Sequence, residues 1–561
     1  MAYSDTNSLH GKEKTKKTSV DEHSIAETIE TANSQTVSNT PSLELNVVSR
    51  TRTTEYPSGS VLKTAPYFEP EDPKNPLNFK GWKRYHVMLA GIMTALNSTL
   101  GTSLATGATE HLSEAFNITS EAELVLPISA FLWGYMVGPL FCGPLSETYG
   151  RKIIMTLSST IYAIFMLACA VSDTWGEFLA FRFFCGLWAS APIAIFGGLY
   201  ADIYNDPRRR GRALAEFNAM TACGPILGPP ISGFISEVSW RWPFWIGLIF
   251  ASITLPVVFT MPETYAPVLL QRRAKEMQST ESNGNSSTTP VKPHQGPNPL
   301  WILMMTLMRP IDMFLHEPIV LFTCLYIALV QTIFFLSFQS YPIVFEGIYG
   351  MSAGVSGLLF LPMLPGVFMA CAIFLLYDNY LYRAKYRHAP WSLIEEYRRL
   401  PLACFGGPFF VISMFWMGWS ASVHTHWAIP MISGVPFGLG YQLILMAMLN
   451  YLTDAYEIYA ASAQSASSIT RNMSGSLLPL GAKQMYRTLG VNWTCSLLGF
   501  ASLAMSAIPF AFIYYGERLR GGSKFFQSLK KIKEAREQEK VRLQERSKRA
   551  MNGDDVDTEN N

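Results

Sequence analysis

Apolar residues in this chain gather into long runs separated by short charged turns, with no sustained two-residue alternation of the kind a half-buried strand shows. Twelve of these runs are long enough to cross a bilayer core, which takes about 20 helical residues. They fall near 86–106, 124–144, 153–171, 178–200, 213–235 and 244–261 in the first half of the chain. The second half supplies 319–341, 353–377, 402–421, 428–451, 458–482 and 493–515. Pro225, Pro229, Pro362, Pro365 and Pro436 lie inside these runs. Proline would break a soluble helix, but membrane helices tolerate it because neighbours and Ser or Thr side chains satisfy the freed backbone groups. The pattern predicts an all-α membrane protein of twelve transmembrane helices in two six-helix bundles.

The stretches between and around the runs divide the chain further. Residues 1–80 are rich in Ser, Thr and Glu up to about Pro66 and read as a disordered N-terminal tail, with no signal peptide ahead of the first run. The expected bundles are 81–261 and 317–516, joined by a linker over 262–316 whose "STESNGNSSTTPVKPHQGPNP" has linker composition. Residues 517–561 form a charged tail, with a solvated helix expected over "SLKKIKEAREQEKVRLQERSKR".

Charge then orients the bundle. One set of connections carries Arg151 and Lys152, Arg208, Arg209, Arg210 and Arg212, Arg272, Arg273 and Lys275, and Arg383, Lys385, Arg387, Arg398 and Arg399. The alternate set holds almost none beyond Arg241, Lys483 and Arg487. By the positive-inside rule both termini and the central linker are expected in the cytoplasm. The acceptor triplet "NIT" at Asn117 then faces outside and is expected to carry a glycan, whereas "NSS" at Asn285 is not.

Composition agrees with a membrane protein and removes several function classes. The chain is 49% hydrophobic and only 15% charged, below the charged share of a soluble domain. A net charge of +2 predicts no nucleic-acid partner. The eight cysteines sit singly in or beside apolar runs without paired spacing, so they read as small core residues rather than as a disulfide framework or metal site.

The densest charge near the membrane is "GPLSETYGRK", Gly143 to Lys152, between the second and third runs. Gly143, Glu147, Gly150, Arg151 and Lys152 occupy positions of the pattern G-x-x-x-D-R/K-x-G-R-R/K, with Glu for the usual Asp and Thr148 in place of the first basic residue. This stretch resembles the signature of the major facilitator superfamily. Physically it can act as a conformational latch: a carboxylate here can face the positive N-terminus of a helix in the other half while the arginine pairs with nearby acids. A simple topology signal, for which Arg151 and Lys152 suffice, is the alternative.

"FRFFCG" puts Arg182 and Gly186 on that superfamily's R-x-x-x-G pattern, and "CGPILGPPISGF" resembles the glycine-proline element of its antiporters through Gly224, Pro225, Gly228, Pro229 and Gly233. Glycine allows close helix approach and proline bends a span, so this element reads as a hinge, a seal or plain helix contact. "DPKNPLNF", "WRWPFWI", "PETYAPVLLQRRAKE", "EYRRLPLA" and "NYLTDAYEIYAASA" are similar to a fungal branch, the twelve-span drug:proton antiporters. The resemblance covers about 72–516. It implies the major facilitator fold and export of small hydrophobic or amphipathic drugs, toxins or secondary metabolites across the plasma membrane. It also implies alternating access as a proton antiporter, without a cofactor and with the proton gradient as energy source. The partners expected are the lipid bilayer and a small-molecule cargo, with the protein a monomer.

Polar groups at membrane depth are costly unless they have a task, so they are the candidates for a cargo cavity. They are Asn97, Gln331, Gln442, Arg471 and Asn472. Each amide also fits an ordinary interhelical hydrogen bond. Arg182 and Arg471 are the costliest, and Arg471 is expected to face the cavity and meet a carboxylate, phenolate or carbonyl cluster on the cargo. No Asp or Glu lies in the middle of any run; Glu216 and Asp202 are near one end, and Glu110, Glu121 and Glu123 near the other. Proton coupling therefore rests on the resemblance alone. The alternatives are a polytopic enzyme, a receptor, or a transporter of one metabolite such as a polyamine. No His or acidic cluster within the runs supports an enzyme, and a receptor leaves the six-plus-six plan unexplained.

Overall fold

The computed structural model describes residues 68, 71–281, 299–394, 396–456 and 459–551, and among them there is no strand. The tail expectations for residues 1–67 and the part of the central linker over 282–298, Asn285 included, lie outside the described residues. Ten helical segments are long and apolar enough to cross a membrane. The last of them, Ala460–Gly516, holds two spans, because Gly490 at φ 75° interrupts it. The remaining span is Pro207–Ile235, whose arginine-rich first turns dilute its hydropathy. Twelve spans result.

In the first half they are Trp82–Ser103, Leu126–Tyr149, Arg151–Val171, Trp175–Ile203, Pro207–Ile235 and Trp242–Thr260. In the second half span 7 is Pro318–Tyr341, span 8 Ala353–Tyr386, span 9 Glu396–Ser420 and span 10 Ala428–Tyr456. Span 11 is Ala460–Leu477, and span 12 occupies 491–521 of the helix Ala482–Gly521. Four spans are broken or extended where the sequence shows a plain run. Span 4 is interrupted at Ser190, just ahead of Pro192, span 8 at Pro362 and span 10 at Ser433. Span 5 begins at Pro207, six residues before its apolar run, because Asp206 accepts from Arg208 N and caps a first turn with proline at its start.

The two faces of the bundle differ in charge, and they are named here by it: an arginine-rich face and an arginine-poor face. On the arginine-poor side the lining spans are closely packed. Every residue of span 1 from Asn97 to Ser103 is buried, whereas Trp82, Tyr85 and Leu89 at its other end are exposed. Span 7 is likewise buried from Thr332 through Tyr341. On this side Ser129 of span 2 donates to Ser476 O of span 11 at 2.7 Å, and Arg487 pairs with Glu121 at 2.5 Å.

The glycine-proline element supplies the rest of the seal. Gly224 and Gly228 lie against Thr99 and Ser103 of span 1, so close that a Cβ at either would collide. Gly233 faces the other half, where a Cβ would come within 2.6 Å of Ala353 O, and a Cβ on Gly357 would come equally near Pro229 O. Small residues let the backbones of spans 5 and 8 touch. Ser232 accepts from Gly107 N and Ser236 donates to Gly107 O, tying the end of span 1 to this seam. Spans 5 and 8 also meet at the arginine-rich face. There Arg208 and Arg212 approach Asp378 at 3.6 and 3.7 Å and both donate to Asn379, while the Arg208 guanidinium lies 3.9 Å over the Tyr382 ring.

Candidate cargo site and gating contacts

The turn from Gly143 to Lys152 forms a charge knot within the first half. Gly150 ends span 2 at φ 104°, and a Cβ there would come within 2.9 Å of the Glu263 carboxyl carbon. Arg151 is buried; its Nη1 donates to Ser146 Oγ at 2.6 Å and its Nε to Asp202 at 3.3 Å, and its guanidinium lies 5.0 Å over the Tyr265 ring. Glu263, in the segment after span 6, accepts from the backbone N–H groups of Arg151, Lys152, Thr264 and Tyr265. A carboxylate thus sits on the unsatisfied N–H groups and the positive dipole end of span 3.

Glu147 is different. It is 56% exposed, and its ion pair is with Arg151 at 3.7 Å rather than with a helix of the other half. Gly143 has no atom within 4 Å of where a Cβ would stand. In this conformation Arg151 fastens spans 2, 3 and 4 of one bundle, and Glu147 is available for the other.

The second half repeats the device. Arg399, at the start of span 9, donates to Asp454 at the end of span 10 at 3.2 Å, as Arg151 does to Asp202 between spans 3 and 4. Arg520 pairs with buried Glu396. The separations along the chain, 51 residues for the first pair and 55 for the second, are the trace of a duplicated unit. Sequence reasoning singled out Arg151 but missed Glu263 and both members of the second pair; matching the arginine-to-aspartate spacing between halves would have found the latter.

The two intramembrane arginines are resolved in opposite ways. Arg182 is fully buried and fully answered. Its Nε donates to Pro127 O at 3.0 Å, Nη1 to Gly101 O at 2.8 Å and Nη2 to Thr102 O at 3.3 Å, with the Phe131 ring 4.7 Å away. Gly101 and Thr102 lie in the last turn of span 1, whose carbonyls lack helical partners, so Arg182 caps that span and complements its negative dipole end. Gly186, one turn on, lets span 4 press on the backbone of Phe131 in span 2. The pair is a structural tether.

Arg471 has no such shell. Its Nε is sealed from solvent without a hydrogen-bond partner, and no Asp or Glu among the described residues pairs with it. The groups within its electrostatic reach are the Tyr441 and Tyr135 hydroxyls and the Cys324 thiol. Those residues come from spans 10, 2 and 7, so the guanidinium lies where both halves meet. Tyr441 donates to Gln331 Oε1 at 2.9 Å and stacks on Phe334 at 4.6 Å between centroids. Tyr135 and Ser98 are hydrogen-bonded at 3.1 Å.

The other expected cavity residues scatter. Asn472 is buried and donates to Ser468 Oγ at 3.3 Å, and Gln442 is buried in span 10. Asn97 lines a cavity of about 10 Å³ inside the first half with Ser98, Tyr162 and Trp188, where its Oδ1 has no partner. A second cavity, of about 20 Å³, lies inside the second half beside Tyr341, Phe437 and Tyr486. Each has room for about one water molecule. Asn117 is exposed in the left-handed region at φ 54°, capping a short helix on the arginine-poor side.

Comparison with known proteins agrees with this architecture. Residues 87–479 match the family model described as Major Facilitator Superfamily. The chain is 38% identical over 457 residues to the MFS transporter prlG of a fungal species (strain NRRL 50135), covering 80% of this chain and 95% of that protein. It is 37% identical to the citrinin biosynthesis cluster MFS transporter mrr1 of Monascus ruber, over 81% of this chain and 91% of that one. A crystal structure of a D-xylose-proton symporter shares the fold, with a TM-score of 0.52 at 15% identity over 75% of this chain and 97% of its own. With twelve spans in duplicated halves, a latch-like turn and these relatives, the chain belongs to the Major Facilitator Superfamily and is a membrane transporter, not an enzyme.

Proposed function

We propose that this transporter exports small amphipathic organic compounds, drugs, toxins or secondary metabolites, across the plasma membrane by alternating access as a monomer, with the proton gradient as its energy source. The observation that carries this reading is the cluster of Tyr135, Gln331, Tyr441 and Arg471, contributed by both halves beneath a sealed arginine-poor face. A site shared between two rocking halves is the working geometry of a secondary transporter. The arginine-rich face is then cytoplasmic, and the sealed face is the exterior.

The compound class is supported by the relatives, among them a transporter of a citrinin biosynthesis cluster and one of an ascochitine biosynthesis cluster from Didymella fabae, 35% identical. Protons would act at span ends, where Asp202 and Glu216 lie, since the span centres hold no carboxylate. The test is uptake into everted plasma-membrane vesicles from cells producing the protein, with citrinin among a panel of aromatic metabolites. Accumulation that requires the protein and collapses when the pH gradient is dissipated supports the reading. Accumulation that survives the collapse removes proton coupling, and no protein-dependent accumulation of any compound removes export.

A further inference from the structure

We infer that Arg471 is the recognition group for an anionic centre on the cargo, so that the transporter takes organic acids, held by Arg471 with Tyr441 and Tyr135 beside it. This rests on the export reading for its biological meaning, while the binding claim stands separately. Three observations carry it. A charged side chain at this depth costs at least ~2.5–3.5 kcal/mol on insertion scales, and Arg182 shows how this fold meets that cost, with three backbone carbonyls at 2.8–3.3 Å. Arg471 receives none of this: its Nε is buried and unpaired. No carboxylate is at hand to neutralise it, since no span centre contains one.

The surroundings fit an aromatic or conjugated acid. Tyr441 is held by Gln331 and stacked on Phe334, and Phe437 lies parallel to it at 6.3 Å, so a flat apolar wall stands beside the charge. Tyr441 spends its proton on Gln331 and Tyr135 is hydrogen-bonded with Ser98, so the guanidinium is the charged donor here and Tyr441 contributes its ring face. Guanidinium offers a planar fork of donors that matches a carboxylate bidentately, and its positive charge repels an ammonium on the cargo. The Arg471 Nε is sealed from solvent, a setting that strengthens that preference and weakens its screening by salt.

The test uses the purified full chain in detergent at pH 7 with three probes of one shape: 1-naphthoate, 1-naphthamide and 1-naphthylmethylammonium. The parent protein should bind naphthoate at least about tenfold more tightly than naphthamide and should reject the ammonium. That ratio should change little between low and high salt, which separates Arg471 from the arginine cluster of Arg208–Arg212 at the face of the bundle, where Arg209 is exposed. Arg471→Gln should bring the ratio close to one, and Arg471→Lys should retain part of it. Variants are compared only when they elute as monodisperse protein, and Arg471→Lys guards against a fold that tolerates no neutral residue here. An unchanged ratio in Arg471→Gln overturns the inference, as does a parent protein that prefers the ammonium or shows no preference. Vesicle uptake is read alongside. Export of naphthamide without naphthoate refutes only the acid preference, whereas export of neither compound with naphthoate binding intact refutes only the export reading.

Discussion

Glu263 and Glu147 stand within one charge knot and should respond oppositely to the same substitution. Glu263 is 7% exposed and accepts four backbone N–H groups, two of them, from Arg151 and Lys152, belonging to the first turn of span 3. Hydrogen bonds to a charged group contribute roughly 1.5–3 kcal/mol each, so the two that cross to span 3, one of them long at 3.2 Å, are taken at the low end, roughly 3 kcal/mol together. Thr264 and Tyr265 are local to the same segment and can turn to water, which is why they are left out of that sum. Glu263→Ala should therefore destabilise the first half by roughly 3 kcal/mol, and Glu263→Gln, which keeps one acceptor oxygen, by about half as much. Glu147→Gln should leave stability unchanged, because that side chain is 56% exposed with one long ion pair, yet it should slow transport by removing the charge available to the other half. Thermal unfolding followed with a thiol-reactive dye suits this comparison, since six of the eight cysteines are buried and the other two half-buried. Equal melting temperatures for Glu263→Ala and the parent would refute the capping role, and a melting loss in Glu147→Gln equal to that of Glu263→Ala would refute the division of labour.

Further outcomes follow from other contacts. Asn117→Gln should abolish a glycosidase-sensitive mobility shift on gels if the arginine-poor face is the exterior, and a shift that survives the substitution would move the glycan elsewhere. Gly233→Val should force spans 5 and 8 apart at Ala353, so that Ser129→Cys, buried in the parent, becomes reactive to impermeant thiol reagents from outside; unchanged reactivity would deny the seam its sealing role. Asp72 is held below the usual carboxylate range by the Lys74 N–H and, behind it, by Arg273. A lowered folded pKa gives stability that is present above the unfolded value and lost as pH falls through the folded one. The clip between 71–79 and the helix Ala266–Glu281 should thus be constant at neutral pH and loosen only in strong acid, whereas Asp72→Asn should speed amide exchange over 71–79 at pH 7.

What the sequence revealed depended on whether a feature was local. The spans were legible because bilayer crossing is written as uninterrupted apolar length; the breaks in spans 4, 8 and 10 and the arginine-rich lengthening of span 5 departed from it. Arg182 and Arg471 looked alike as costly charges in apolar runs, and nothing near either residue in the chain distinguishes them. Their difference lies in Gly101, Thr102 and Pro127, more than 50 residues away in sequence from Arg182. Glu263 escaped for the same reason: "PETY" carries no hint that its carboxylate will sit on a helix start 112 residues earlier. The charged turn was legible as a motif but not as an arrangement, since nothing in "GPLSETYGRK" tells that Arg151 reaches Asp202 within its own half while Glu147 stays exposed.

An arginine without a counter-charge also has an electrical consequence. On the inference that Arg471 carries an anion outward, the centre is neutral when loaded and carries one net positive charge once the anion has left outside. The membrane voltage, negative inside, therefore acts on the empty carrier and draws it back toward the cytoplasmic-facing state, while the loaded carrier moves without opposition. The anion leaving the cell releases ~2.3 kcal/mol for each 100 mV crossed, in addition to what a proton entering in exchange contributes. In such a cycle the return stroke is the step that voltage accelerates.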